Sequence, residues 1–238
     1  MTMRILALDT SSAAGSAAVA DHGRVIVARR GDPSRTHGER LPAELMALLD
    51  EARVPLASID VFAVAIGPGS FTGLRVGIAT MQGLAFAAQK RVVPVSTFDA
   101  LAWQGRQRGP AIAAWIDAHR GEVFASLFAA DGVTVLQSPS SLPPEETLAA
   151  WAPVLAACPH VRFTGDGAVR YAAAIRAALG DRATVDDAPP LLAGAMAEIA
   201  AAHPARAVAP HAIVPLYVRR PDAELARDRK RALEMPRE

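Results

Sequence analysis

Two aspartates, Asp9 and Asp117, each close a short apolar run and precede a turn, 108 positions apart. Where a nucleotide is held between two lobes, such an acid normally has glycine beside it, so that backbone N–H groups can reach the phosphates. Here the first turn reads Asp9-Thr10-Ser11-Ser12, with side chains where glycine would serve. Phosphate binding at that turn is expected to be weak, and the plainer role of both acids is to accept turn hydrogen bonds. The most unusual stretch is Gly67-Pro68-Gly69-Ser70-Phe71-Thr72-Gly73-Leu74-Arg75-Val76-Gly77. It has no lysine for a Walker A loop, and the next apolar run, Val92 to Val95, ends in Ser96-Thr97 rather than the acid of a dinucleotide fold. The six histidines, His22, His37, His119, His160, His203 and His211, show no helical i, i+3 or i, i+4 pairing. No metal site is legible, short of ligands gathered from distant loops. His37, close to Glu39 and Arg40, reads as a surface residue. Ser70 has no His or Asp at a triad spacing, and the single cysteine, Cys158, reads as inert packing.

The elements that must position these groups follow from periodicity. Arg4 to Asp9, Gly15 to Ala20 and Arg24 to Arg30 read as a meander turning at Asp21-His22-Gly23. Leu41, Leu45, Leu48, Leu49 and Ala52 repeat at the helical period, giving a helix from about His37 to Arg53. Val61 to Ile66 is a strand, the glycine-rich turn follows, and a helix runs from Phe71 to about Ala88. Val92 to Val95 returns as a strand, and Ser96 or Thr97 caps a helix to about Gln107. A second block repeats this order: strand Ala111 to Ile116 ending at Asp117, then strands Glu122 to Ala129 and Val133 to Gln137. It continues with a helix from Pro143-Pro144, a strand Val161 to Thr164, the turn Gly165-Asp166-Gly167 and a helix from Ala168 to Leu179. An internal duplication fits the 108-residue offset. A helix from Leu191 to His203, an extended piece from Pro215 to Arg219 and a charged tail complete the chain.

Gly73, Gly77 and Gly83 fall inside the second helix, and each costs about 0.8 to 1 kcal/mol relative to alanine. Something must offset that loss. Gly73 and Gly77 share a face and would admit another backbone, from this chain or a second one. Two stripes run along the helix: Phe71, Leu74, Ile78, Met81 and Ala85 are apolar, and Thr72, Arg75, Ala79, Gln82 and Phe86 are mixed. Periodicity leaves open which stripe faces outward.

Composition sets the class. The chain has 238 residues, 51% hydrophobic and 21% charged, with a formal charge of +1, so it is globular and lacks the basic footprint of an unaided nucleic-acid binder. Its 52 alanines point to codon bias as much as to helix. One cysteine suits a reducing compartment and excludes a disulfide framework. Every apolar run is interrupted before it reaches membrane-spanning length, and a cytoplasmic location is expected.

Taken together, Leu6-Ala7-Leu8-Asp9-Thr10-Ser11, His37-Gly38-Glu39-Arg40-Leu41-Pro42, the glycine-rich stretch, Asp117-Ala118-His119-Arg120-Gly121-Glu122-Val123-Phe124 and Pro215-Leu216-Tyr217-Val218-Arg219 resemble the bacterial TsaB (YeaZ) family. The match covers essentially the whole chain, and the Gly-Pro-Gly-Ser-Phe-Thr-Gly-Leu-Arg segment is specific to it. Gly38 stands where serine is usual, and His119-Arg120 replaces an arginine followed by a variable residue.

The resemblance implies an α/β, actin-like and Hsp70-like fold of two related lobes, 1–100 and 101–220, with a charged tail at 221–238. It also implies a non-catalytic dimerisation subunit for threonylcarbamoyladenosine formation on tRNA, partnering the TsaD transferase and the TsaE ATPase. A homodimer would form when the partner is absent, and tRNA would be met only through the complex. The paralogous transferase carries metal-binding histidines; this chain has Val95-Ser96-Thr97-Phe98-Asp99-Ala100-Leu101 in their place. By the same resemblance the partner interface includes His37, Glu39, Arg40, Leu41, Phe71, Thr72, Gly73, Arg75, Val76 and Gly77. A degenerate nucleotide site would gather Asp9, Thr10, Ser11, Asp117, Gly165 and Gly167, with no metal or tightly bound cofactor of its own and ATP or ADP with Mg²⁺ only in the complex. The competing expectation is a stand-alone actin-like ATPase or small-molecule kinase, with nucleotide near Thr10, Asp117 and Gly165-Asp166-Gly167.

Overall fold

Alternation inside the first strand divides the molecule into layers. In Arg4–Asp9 (β1), Ile5 and Ala7 face one way and Leu6 and Leu8 the other, and all four are buried, so the strand lies between two packed layers. The structure, a computed structural model, describes residues 3–106 and 110–219. β1 pairs antiparallel with Ser16–Asp21 (β2), which turns into Arg24–Arg30 (β3). On its other side β1 pairs parallel with Val61–Gly67 (β4), and β4 pairs parallel with Arg91–Ser96 (β5). Helices His37–Ala52 (α1) and Phe71–Ala87 (α2) make the crossovers, and the order is β3-β2-β1-β4-β5.

After the helix Thr97–Gly105 (α3), capped by the Ser96 hydroxyl, the pattern repeats. Ala111–Asp117 (β6), Val123–Phe128 (β7) and Val135–Leu142 (β8) form a meander. The helix Pro144–Ala156 (α4) leads to Val161–Thr164 (β9). Two short helices, Asp166–Arg170 (α5) and Ala172–Leu179 (α6), lead to Ala183–Val185 (β10), and the order is β10-β9-β6-β7-β8. β1 and β6 are therefore equivalent central strands, as the aspartate offset suggested.

The outer core of the first sheet is filled from α1 and α2, by Leu41, Leu45, Leu48, Ile78 and Met81 against Leu6, Leu8 and Phe62. That of the second sheet is filled by Trp151 and Ile175 against Trp115 and Phe163. Between the sheets lie α3 and the last helix, Leu192–Ala202 (α7). The inner strand faces are rich in alanine, with Ala7, Ala18, Ala63, Ala65 and Ala114 buried against Ala193, Ala197 and Ala200. Small residues on both sides let sheets and helices approach closely. Part of the alanine excess thus has a packing use.

Chain order and packing diverge at α7. It follows the second sheet but lies on the first, against β1 and β2, and Val208 pairs with Val92 of β5. The expected 101–220 lobe is therefore interleaved with the first. The helix expected from Ala168 to Leu179 is broken at Tyr171, whose φ of −105° and ψ of 24° leave the helical region. β8 starts later than expected and continues through Pro139, which an edge strand tolerates because its missing N–H interrupts no ladder on the open side. β10 was not anticipated. Pro215 to Arg219 forms no strand; Leu216 N–H donates to Ile66 O at 2.7 Å. The expected helix end at Gln107 and the tail beyond Arg219 lie outside the described residues. Among the described residues no helix is long and apolar enough to cross a membrane.

Candidate functional site

The orientation of α2 decides what its residues can do. Leu74, Ile78, Met81 and Ala85 are buried, whereas Thr72, Arg75, Ala79 and Phe86 are exposed, so the mixed stripe faces outward. Phe86 is 79% exposed, and on the neighbouring α1 Met46 is 50% exposed. Phe71 departs from the stripe assigned to it and is 40% exposed. Its ring lies 5.6 Å from that of Tyr217, and the Arg75 guanidinium sits 3.8 Å from the Phe71 centroid.

The glycine face turns the other way. A Cβ on Gly73 would strike Thr10 O, and one on Gly77 would strike Thr10 Oγ1. Both glycines are buried, and Thr10 is fully buried in the notch they leave. The close approach is made by this chain's own first turn, so Gly73 and Gly77 are not surface residues of a partner interface. Ser70 caps α2 by accepting the Gly73 N–H at 3.2 Å, and its own N–H donates to Ser11 O at 2.7 Å.

The same turn is clamped from its other side by α1. Arg40, 2% exposed, donates from Nη2 to Ala14 O at 2.5 Å, to Ala13 O at 3.3 Å and to His37 Nδ1 at 2.7 Å, and it pairs with Glu44. Because a guanidinium can only donate, His37 Nδ1 must accept, so Nε2 carries the hydrogen and donates to Ser12 O at 3.0 Å. The imidazole is neutral in this arrangement. Burial, then the Arg40 charge, hold its pKa below the usual histidine range. His37 and Arg40 are therefore parts of an internal clamp rather than surface groups, and Leu41 is a core residue. Of the residues expected at the partner face, Glu39, Phe71, Thr72 and Arg75 are exposed and Val76 is half-buried. Glu39 closes a capping box by accepting the Thr36 N–H at 2.9 Å, and the Thr36 hydroxyl holds its pKa low.

Between the lobes the two aspartates have separated fates. Asp117 pairs with Arg170 at 2.8 Å and accepts the His119 N–H at 3.0 Å. Asp9 is 3% exposed and accepts the Ser11 N–H at 2.9 Å; burial pushes its pKa up. Asp9, Ser11 and Gly165 meet around a crevice whose cavity is about 20 Å³, room for one water. Thr10 lies under α2 instead, and an added Cβ on Gly165 or Gly167 would strike the backbone of Trp115 or Ile116. Asp117 lines a different and larger cavity of about 440 Å³, shared by Pro68, Phe71, Phe124, Tyr217 and Arg219. The six residues expected at a nucleotide site thus do not surround one opening. Asp166 was missed as a candidate in its own right. It accepts the Asp117 and Gly167 N–H groups at 3.0 and 2.9 Å, and burial raises its pKa. Among the described residues no three His, Cys, Asp or Glu side chains gather into a metal-binding group.

Two copies of one mixed sheet, joined face to face through α3 and α7 with an aspartate-ended central strand in each, define the actin-like class of α/β protein. A family model described as "TsaD: tRNA N6-adenosine threonylcarbamoyltransferase" matches residues 31–148. The solved structure of YeaZ from Pseudomonas aeruginosa superposes with a TM-score of 0.74 at 33% identity, covering 90% of this chain and 99% of that one. An uncharacterised protein of Mycobacterium tuberculosis is 31% identical over 92% of this chain and 93% of its own length. The Escherichia coli protein named tRNA threonylcarbamoyladenosine biosynthesis protein TsaB is 40% identical over 125 residues, 51% of this chain. That match spans 53%, about half, of the relative's length. The chain belongs to the TsaB/YeaZ family.

Proposed function

We propose that this chain is a non-catalytic scaffold subunit for threonylcarbamoyladenosine formation on tRNA, acting in the cytoplasm and presenting its α1–α2 face to a transferase of the matched family. The coarser part, a role in that biosynthesis, is supported by the names of its relatives. The observation that carries the finer part is the outward stripe of α2, where Phe86 lies 79% exposed, while α1, packed against α2, exposes half of Met46. Large exposed apolar side chains, an aromatic among them, on two packed helices are the kind of groups that interface cores bury. In this reading the ATPase TsaE joins the same assembly, a second copy covers the face when the transferase is absent, and tRNA is met through the complex.

The test is calorimetric titration of the transferase with a Met46→Asp, Phe86→Asp double variant and with Val133→Asp on the second lobe, where Val133 is also exposed. The α1–α2 double variant should bind at least about 30-fold more weakly, the scale of a single interface hot spot. Val133→Asp should bind normally. The reverse ranking would place the interface elsewhere.

The cavity of about 440 Å³ at the N-terminus of α2 favours one second reading, a stand-alone actin-like ATPase or kinase. It requires Mg²⁺ with ATP to raise the unfolding midpoint of the isolated chain, since ligand at 100 times its Kd adds about 2.7 kcal/mol. The scaffold reading expects no such shift.

A further inference from the structure

After the single helical turn Pro210–Ala212 the chain leaves the first lobe and crosses to the second. Ile213 is still buried in the outer core of the first sheet. Leu216 N–H donates to Ile66 O of β4 at 2.7 Å, and its carbonyl takes the space that a Cβ on Gly67 would need. The Tyr217 ring packs on Phe71, the first residue of α2, and its hydroxyl accepts from Arg75 Nε at 3.4 Å. Val218 packs on the inner core. Arg219 completes the crossing: it donates to Ala118 O at 3.1 Å and to Glu122 Oε2 at 3.0 Å, and its guanidinium lies 5.7 Å from the Phe124 centroid. Those two acceptors flank the turn between β6 and β7, which the Ala118 N–H closes by donating to Glu122 O at 3.1 Å. The Ser141 hydroxyl of β8 donates to the same Glu122 carboxylate oxygen at 2.7 Å, so the anchor is held by its own sheet.

We infer that Leu216 to Arg219 is a strap, latched by Arg219, through which the second lobe sets the position of Phe71 and Arg75 at the start of α2. The strap forms one wall of the cavity of about 440 Å³, and that side of it gains nothing from packing. A segment held in this way opens at low cost unless both ends are fastened. Ile213 and the Leu216 N–H fasten one end, and Arg219 fastens the other with two charge-assisted hydrogen bonds that converge on one turn. Releasing Arg219 frees Tyr217, and with it the ring against which Phe71 is set and the hydroxyl that receives Arg75. Arg219 is thus a positioning residue that stands on the opposite lobe from the groups it positions. The latch follows from contacts within the chain, whereas its consequence for partner binding rests on the scaffold reading.

Hydrogen exchange of the full chain, read by mass spectrometry, tests the latch. Arg219→Gln should quicken exchange about tenfold, the factor for loss of one hydrogen bond to a charged group, both in the strap and at the first turn of α2. That turn is read at the Gly73 and Leu74 amides, which donate to Ser70. Exchange in α1 should not change. Glu122→Gln, which alters the anchor and leaves the strap intact, should have the same pattern at smaller amplitude, and Arg219→Lys should restore part of the protection. An unchanged strap, or a loosened strap beside an unchanged α2, would overturn the inference. Faster exchange throughout the chain in both Arg219→Gln and Glu122→Gln would overturn it too, because Arg219 would then be a general tie of the fold. Calorimetric titration of the transferase separates the latch from the scaffold reading. A loss of affinity of about threefold or more in Arg219→Gln, the scale of ordering one side chain on binding, supports both. Normal affinity with a loosened α2 would keep the latch and remove Phe71 and Arg75 from the partner contact.

Discussion

The two lobes share a strand order and use their equivalent turns in opposite ways. After β1 the chain makes a long turn through Thr10 to Gly15, held between α2, whose glycines receive Thr10, and α1, whose His37 and Arg40 bind its carbonyls. After β6 the corresponding turn is short, with His119 and Arg120 both at positive φ, and both are exposed. The crossover helices differ as well. α1 and α2 run for 16 and 17 residues, whereas the second lobe has α4 with 13 and a pair, α5 and α6, with 5 and 8. The two lobes thus share the sheet, while the first alone carries long helices with an outward mixed stripe and a turn locked behind them. The lock gives that stripe a rigid backing, as an interface needs if binding is not to be spent on ordering the surface.

The comparison breaks most visibly at the glycine notch. Gly73→Leu should destabilise the isolated chain by about 3 kcal/mol or prevent folding, because the side chain has nowhere to go but into Thr10 O. Urea unfolding of the lone subunit measures this. A normally folded variant with weakened partner binding would return Gly73 to the interface and remove the notch from the first lobe's architecture.

A smaller effect sharpens the role of the clamp. With its folded-state pKa below its unfolded value of about 6.5, His37 gives up its proton on folding. The clamp's contribution is therefore complete above that value and is lost as pH falls through it toward the lower folded pKa. The unfolding midpoint should decline over this window in the wild type and decline less in His37→Gln, whose amide can still accept from Arg40 and donate to Ser12 without titrating. Equal slopes in the two proteins would show that the imidazole does not need to be neutral.

How much of this was legible depends on whether the deciding contact is local. The helical period placed Leu41, Leu45, Leu48 and Leu49 in the core, and all are buried there. The glycine spacing in α2 announced a close approach, but the approaching group, Thr10, lies more than sixty positions away and nothing in its own neighbourhood marks it. Arg40 was expected at a partner face because burial of an arginine becomes tolerable only once Ala13 O, Ala14 O and Glu44 are in place to receive it. The break at Tyr171 has no glycine or proline to signal it. The strand expected to end at Gln137 runs on through Pro139 to Leu142, which the edge position of β8 permits. At the candidate nucleotide site the residue types in the first turn showed the missing glycines but not where each side chain goes: Thr10 is buried under α2 and Asp9 lies in the crevice between the lobes. The separation of Asp9 from Asp117 into different cavities required the packing of both lobes.

The finest distinction lies within α2 itself. Gly83 is exposed, and a Cβ there would meet nothing within 4 Å, unlike those on Gly73 and Gly77. Its cost to the helix is therefore not offset by any contact in the lone chain. Gly83→Ala should stabilise the isolated protein by about 0.5 to 1 kcal/mol, read as a higher urea midpoint at unchanged slope. If the outward stripe that includes Phe86 docks closely on another helix, the same methyl should weaken that association, because small residues are what allow helices to approach. A gain in stability joined to a loss of affinity would explain why the glycine stands there. A gain in both would leave Gly83 without a role in either lobe's use of the fold.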